Sequence, residues 1–310
     1  MNKHVGKLLV VCGPTATGKS DLAFYLSRIL GGEIISADSR QVYRGMDIGT
    51  GKDKDRVGNI LGYDLVDPKE EFSVAQYLKF AKDEIKRIWK MGGLPIIVGG
   101  TGLYIKALVD GIQTVDIPRN DALRKGFEGK IVDELFDTLS QIDSVKAASL
   151  NSSDKKNPRR IIRAIEIALD RSGIKGSKSK KIEADVLFIG LTAPKQILSE
   201  RIEKRVLNRI YQGIEMEIEK LLKQGISWDL QSMQSLGYRQ FRGYFEGEQS
   251  IDEVEYLWTH EEQKYMKRQI TWFKRDNRIN WFDITDPQYS KKVEELVKKW
   301  YSKARNAKKN

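Results

Sequence analysis

Apolar positions near the start of the chain fall into two alternating patterns. LLVVC (8–12) and LPIIV (94–98) are continuous apolar runs that stop at Gly13-Pro14 and Gly99-Gly100, as strands buried on both faces do. EIIS (33–36) reads as a further short strand, and YDLVD (63–67) as another. Between these runs the spacing turns helical. One helix is predicted from about Lys19 to Leu30, halted at Gly31-Gly32. A second follows Val74, Leu78, Ala81, Ile85, Ile88 and Trp89 and is again halted by glycine at 92–93. Strands alternating with helices predict an α/β fold, with a parallel sheet flanked by helices on both faces.

The pattern changes after residue 115. Residues 116–182 carry helical segments and no strand pattern, and ADVLFIGL (184–191) then resumes the buried-strand signature. The expected arrangement is a core built from 1–115 and 183–310, interrupted by a helical insertion at 116–182. The lysine-rich stretch 173–185 reads as a flexible return linker. Helical spacing dominates the rest, over 194–223, 251–275 and 288–307.

Composition narrows the class. A chain of 310 residues buries a large core without disulfides, and its one cysteine, Cys12, cannot form an internal one. The apolar runs fall far short of the roughly 20 residues of a membrane helix. MNKHVGKLLVVCG leads into a loop rather than a signal-peptide cleavage site, so a soluble cytoplasmic protein is expected. The net charge is +11, and residues 256–310 hold 14 Lys and Arg against 7 Asp and Glu. Such an excess suits a polyanionic partner, nucleic acid or an anionic membrane; in the final KARNAKKN it equally suits solubility alone.

The chemistry starts where the first strand ends. Gly13, Pro14, Thr15, Ala16, Thr17, Gly18, Lys19 and Ser20 spell the phosphate-loop (P-loop) pattern G-x-x-x-x-G-K-[ST] at a strand-to-helix junction. Its backbone N–H groups, the helix N-terminus and Lys19 would cradle phosphates, and Ser20 would offer its hydroxyl to a shared Mg2+. A motor-type ATPase also carries an apolar strand ending in aspartate. The candidate strands here end in Gly-Gly-Thr (99–101) and Gly-Leu-Thr (190–192), which favours a small kinase-like transferase. Asp38, just beyond EIISA, lies where a carboxylate beside the loop can act as general base, or where an aspartate can cap a helix.

Three sets of cations stand out. Asn157-Pro158 starts a helix whose first turns hold Arg159, Arg160 and Arg163, against the helix dipole. Either an incoming anion or acids elsewhere in the chain would balance them. Arg201, Arg205 and Arg209 repeat every four residues on one helix face, suited to closing over a phosphate group or to pairing with nearby glutamates. Lys264, Lys267, Arg268, Thr271 and Arg275 form one polar-basic stripe, with Tyr265, Ile270, Trp272 and Phe273 lying away from most of it. That is a surface able to track a nucleic-acid backbone, or a solvated face of a core helix.

GPTATGKS (13–20), ADSRQVYRGMDIGT (37–50), VGGTGLYIKAL (98–108), NPRRIIRAIEI (157–167), SLGYRQ (235–240) and KRQITWFKR (267–275) occur in the order of one family. The chain resembles the bacterial tRNA dimethylallyltransferases, also called tRNA isopentenyltransferases, from residue 7 to about 283. The resemblance implies a P-loop kinase-like core that moves a dimethylallyl group from dimethylallyl diphosphate to the exocyclic amine of the adenosine 3′ of the tRNA anticodon (position 37). It makes the loop 13–20 the holder of the donor's diphosphate rather than of ATP hydrolysed for energy. It makes Asp38 the general base and places Ser39, Arg40 and Gln41 at the target nucleotide. Thr101 becomes a tRNA contact at the reaction channel, Arg205 a diphosphate ligand, and Arg124 a looser tRNA contact in the insertion. It further implies tRNA contacts along Arg159, Arg160, Ile161, Ile162 and Arg163, along Gln234, Ser235, Leu236, Gly237, Tyr238 and Arg239, and at Lys267, Arg268, Thr271 and Arg275. Mg2+ is the implied cofactor and a monomer the expected state. Two rivals share the loop: an adenylate isopentenyltransferase acting on a free nucleotide, and a nucleoside or nucleotide kinase. The basic C-terminal helix and the arginines of the insertion favour a large RNA.

Overall fold

The computed structural model describes residues 5–54, 60–115, 117–170 and 181–306. Its chain folds into two compact units, Met1–Val109 with Ile182–Asn310, and Asp110–Lys181. The inserted unit therefore takes in 110–115, which the sequence pattern assigned to the core.

In the larger unit five strands pair in parallel, in the order β2-β3-β1-β4-β5. They are β1 (Gly6–Cys12), β2 (Gly32–Ser36), β3 (Leu94–Gly99), β4 (Ala184–Thr192) and β5 (Ile279–Asp283). Leu8 through Cys12 are fully buried on both sides of the pleat, which is why β1 reads as an unbroken apolar run. Helix α1 (Lys19–Leu30) packs Leu22 and Leu26 against Leu9, Val11, Ile96 and Val98. α2 (Val74–Lys90) starts with a capping box in which Ser73 and Gln76 satisfy each other's backbone N–H groups, and α3 (Gly102–Val109) follows β3 directly.

Three expectations need correction. Residues 63–67 form no strand: only isolated bridges join Tyr43 to Val66 and Ile35 to Leu61, because Gly62 and Asp64 both take positive φ and break the extended run. β5 lacks a strand signature because only Ile279 is buried on this sheet edge, leaving Trp281 partly exposed among polar neighbours. The expected helix over 194–223 breaks at Gly213 (φ 88°), giving two helices in the C-terminal set named below.

The smaller unit holds α4 (Asp121–Lys125), α5 (Val132–Ile142), α6 (Ser144–Ser149), α7 (Ser152–Lys155) and α8 (Pro158–Leu169), closed around Leu135, Leu139, Ala147, Ile161, Ala164 and Ile165. The remaining helices belong to the larger unit: α9 (Lys195–Tyr211), α10 (Ile214–Lys223), α11 (Arg242–Phe245), α12 (Ile251–Phe273) and α13 (Tyr289–Asn306). α13 adds Val293 and Val297 to the cluster that α1 covers. Most of the expected linker at 173–185 and the last residues of the basic tail lie outside the described residues. Among the described residues no helix is long and apolar enough to cross a membrane.

Candidate active site

The carboxyl ends of the parallel strands open into a cleft of about 1200 Å³. Everything that lines it belongs to the larger unit. Its floor is the loop after β1. Gly13 (φ 132°) passes so close to β4 that a Cβ there would lie 2.4 Å from the Leu191 carbonyl, so only glycine fits. Gly18 is left-handed and caps α1 with no side-chain bond, which leaves the first N–H groups of the helix to whatever anion arrives. Thr17 is buried and donates to the Pro14 carbonyl at 2.9 Å, bracing the loop from within. Beneath it the Cys12 thiol is pushed up to about 12 by burial, so it stays protonated and inert.

Lys19 bends back over the loop and donates to the Pro14 carbonyl at 2.6 Å. Burial, and after it the charge of Arg205, pulls its ammonium down to about 8. Arg201, Arg205 and Arg209, on one face of α9, line the cleft beside it. Arg205 donates to Glu262 of α12 at 2.9 Å, yet its Nε is buried without a partner. Arg209 reaches the same carboxylate at 3.5 Å, and burial, then Arg205, lowers its guanidinium to about 10. One glutamate thus faces two guanidiniums and, beyond them, the lysine. Like charges forced together in a partly dehydrated pocket, with a buried donor left over, need an anion. Of the two alternatives for this arginine set, the structure shows the pairing with an acid, and it leaves Arg205 a donor for an anion.

Asp38 also lines the cleft, half-buried and close enough for its charge to act on Lys19 and Arg209, its Oδ1 accepting from the Arg40 N–H at 2.8 Å. The turn that carries it interlocks with the end of β3. The Ala37 N–H donates to the Val98 carbonyl, the Thr101 N–H to the Ala37 carbonyl, and the Ser39 N–H to the Thr101 hydroxyl at 3.1 Å. Thr101 also hydrogen-bonds the Tyr265 phenol, whose pKa is raised by burial and by the Asp38 charge. Thr101 itself is not part of the cleft lining, whereas Asp38, Ser39, Arg40 and Gln41 all are. Arg40 donates to the Gln231 carbonyl and Gln41 to the Gly51 carbonyl, so both side chains also shape the walls.

The other predicted contacts divide by exposure. Gln234, Leu236 and Arg239 line the cleft. Ser235 and Tyr238 are buried, and Gly237 packs under Trp258, so these three build the turn that carries the others. Lys267, Arg268, Thr271 and Arg275 are exposed along α12. Trp272 is 39% exposed on the same helix, so it belongs with the stripe rather than away from it.

In the smaller unit the expected anion site is already occupied by a carboxylate. Arg163 donates to the Thr114 and Ile117 carbonyls at 2.8 Å and to Glu166 at 3.0 Å, and Arg124 forks onto the same Glu166 at 2.7 and 3.0 Å. Burial alone would raise the Glu166 carboxyl, but these guanidiniums and the Asn120 N–H hold it down at about 2. Arg160 pairs with Asp154, Ile161 is fully buried and Ile162 packs against the same core. Only Arg159 and Arg160 are exposed in that block.

Three positioning residues carry no sequence signal of their own. Gln269 accepts from the Thr15 N–H at 2.8 Å and donates to the Gly100 carbonyl at 3.0 Å, joining the phosphate loop to the β3 turn. Glu262 is the shared arginine partner described above. Glu217 accepts from the N–H groups of Asp47, Ile48 and Gly49 and from the Tyr238 hydroxyl at 2.6 Å, fixing the cleft loop that follows. Lys52 anchors that same loop, pairing with Asp47 and Asp64. Glutamate and glutamine on helices are too common for spacing to mark them.

As for Mg2+, no cluster of three acidic, His or Cys side chains among the described residues would bind an ion unaided. Ser20, in the cleft at the first turn of α1, does suit an ion whose other ligands are diphosphate oxygens and water.

Fold and cleft together define a P-loop-type group transferase with an anion-binding floor and a carboxylate facing it. The chain matches the family model described as "IPP transferase" over residues 41–276, and "Isopentenyl transferase" over 6–57. It is 39% identical to a tRNA dimethylallyltransferase of Anoxybacillus flavithermus, covering 94% of this chain and 95% of that one. A relative of the same name from Halalkalibacterium halodurans is 38% identical over the same shares. The solved tRNA isopentenylpyrophosphate transferase of Bacillus halodurans superimposes with a TM-score of 0.71 at 37% identity, over 98% of each chain. A eukaryotic dimethylallyltransferase described as acting on tRNA shares the fold at a TM-score of 0.82 and 23% identity, over 96% of this chain and 80% of its own. The chain belongs to the tRNA dimethylallyltransferase family, and is a prenyltransferase.

Proposed function

We propose that the protein transfers the dimethylallyl group of dimethylallyl diphosphate to the exocyclic amine of adenosine 37, 3′ of the tRNA anticodon, and releases diphosphate. The observation that carries this reading is one cleft that gathers the phosphate loop, Lys19, the α9 arginines with the unmet Arg205 Nε, and the Asp38 carboxylate. Adenine's amine is a weak nucleophile because its lone pair is delocalised into the ring. Attack therefore depends on stabilising the leaving diphosphate as the bond from carbon to oxygen breaks. Lys19, Arg205 and the loop N–H groups provide that stabilisation, already oriented before the reaction. Asp38 orients the amine and accepts its proton as the new bond from nitrogen to carbon forms. Mg2+, held by Ser20, would add charge on the diphosphate. The adenosine must leave its stack to reach this depth, at a cost of a few kcal/mol that phosphate contacts elsewhere offset.

The test is to map the product: after incubation with donor and unmodified tRNA, nuclease digestion and mass spectrometry locate the added group. A single prenylated adenosine at position 37 supports the proposal, and modification at another nucleotide contradicts it.

Two expectations follow from the site. Lys19 titrates near 8 in the free protein, so it is charged below that pH and must take up a proton to meet an anion above it. Inorganic diphosphate is therefore expected to bind more weakly as pH rises through about 8, with proton uptake visible in calorimetry in buffers of different ionisation heat. Affinity that stays flat from pH 7 to 9.5 would remove Lys19 from the anion site. The exposed stripe is tested by Lys267→Ala with Arg268→Ala. The double variant is expected to bind tRNA more weakly and to lower the log–log salt slope by about 1.5, close to two phosphate contacts. An unchanged slope would take the stripe out of the interface.

A further inference from the structure

Resting on the transfer reaction proposed above, we propose that Trp272 is a base-stacking platform for an unpaired anticodon-loop base next to the adenosine that enters the cleft. Trp272 lies in the last turn of α12, is 39% exposed, and packs its indole against the first residue of α3. A Cβ at Gly102 would lie 2.0 Å from the indole Nε1, so the ring sits directly against this glycine and a side chain there would push it away. Gly102 follows Thr101, whose hydroxyl is tied to Ser39 and Tyr265 on the Asp38 side of the cleft.

The surroundings select the occupant. Arg268, one turn before Trp272, lines the cleft, and Arg275 follows just past the end of the helix; both are exposed, so cations flank the indole along the chain on both sides. Among the described residues the indole Nε1 has no hydrogen-bond partner. An aromatic face bordered by guanidiniums, with an unused donor at its edge, fits a nucleobase attached to a phosphate backbone. The proposed reaction requires such a base. When the target adenosine leaves the loop, its neighbour loses a stacking partner, and an indole one turn along α12 from the cleft-lining Arg268 and Gln269 can replace it. The inward side of the same helix carries Gln269 and Glu262 to the phosphate loop and Arg205. One element therefore holds both the RNA-facing ring and the donor-facing contacts.

The experiment compares Trp272→Ala, Trp272→Leu and Trp272→Phe in the full chain. It measures steady-state transfer to unmodified tRNA, direct binding of inorganic diphosphate, and the salt slope of tRNA binding. The expected result is a KM for tRNA raised about tenfold in the Ala and Leu variants and within about threefold of the parent in Phe, because stacking needs a flat ring and packing needs only bulk. Diphosphate affinity and the salt slope stay unchanged, because no ionic contact is lost. Rescue by leucine, an unchanged KM in the alanine variant, or a parallel loss of diphosphate binding would overturn the assignment. If the alanine variant does not fold, the leucine–phenylalanine comparison decides alone. Parent protein that transfers nothing to tRNA would instead refute the reaction on which this rests.

Discussion

Replacing Asp38 by asparagine is expected to leave tRNA affinity intact and to lower turnover by roughly 100- to 10,000-fold, the span of a general base. The size follows from position. Asp38 shares the cleft with Lys19 and Arg205, and its carboxylate is held by the Arg40 N–H through one oxygen, Oδ1. Asparagine keeps the shape and an acceptor oxygen, so the Ala37–Thr101 turn survives, but the proton of the attacking amine loses its destination. Transfer kinetics and equilibrium tRNA binding together decide the point. Equal losses in both would mean that Asp38 binds RNA and is not the base.

The second large effect is expected at Arg205. Changing it to glutamine should cost on the order of 3 kcal/mol of transition-state stabilisation, ~100-fold in turnover, with the KM for tRNA little changed. Its unpartnered buried Nε is the donor available to the leaving diphosphate, and its bond to Glu262 fixes the direction in which it points. A second readout separates this from a folding defect. Arg205 contributes to the depressed pKa of Lys19, second only to burial, so its loss lets that pKa rise. The alkaline limit of diphosphate binding should accordingly move to higher pH. Turnover within threefold of the parent, or a limit that stays in place, would remove Arg205 from the diphosphate site.

The parts of this molecule that the sequence makes legible are those where one physical demand dominates. β1, β3 and β4 are buried on both faces and appear as unbroken apolar runs, and the loop after β1 needs glycines at fixed positions whatever surrounds it. Asp38 could be placed at a strand end by spacing, where it reads equally as a general base or a helix cap, and the family resemblance points to the base. Other features depend on partners distant in sequence. β5 is a strand because β4 offers its edge, and its own alternation is too weak to announce it. Arg163, with Arg159 and Arg160, resembles an anion site in one dimension, whereas in three it closes on carbonyls of the preceding loop and, together with Arg124, on Glu166. Gln269 and Glu217 hold loops more than 150 residues away, and nothing local distinguishes them from ordinary surface amides and acids. Trp272 looked like core because aromatic residues usually are; only in three dimensions is it seen packed on Gly102 with 39% of its surface open.

The central claim is that this cleft moves a dimethylallyl group from a diphosphate donor to an adenosine within tRNA. The phosphate loop alone does not choose the acceptor, since the isopentenyl transferase match at 6–57 takes in the loop and Asp38 but neither α9 nor the basic α12. The most direct measurement is transfer of label from dimethylallyl diphosphate, with unmodified tRNA, AMP and ATP offered in parallel. The account predicts label on tRNA alone. Label on the free nucleotides, or ATP consumed with no label transferred, would contradict it.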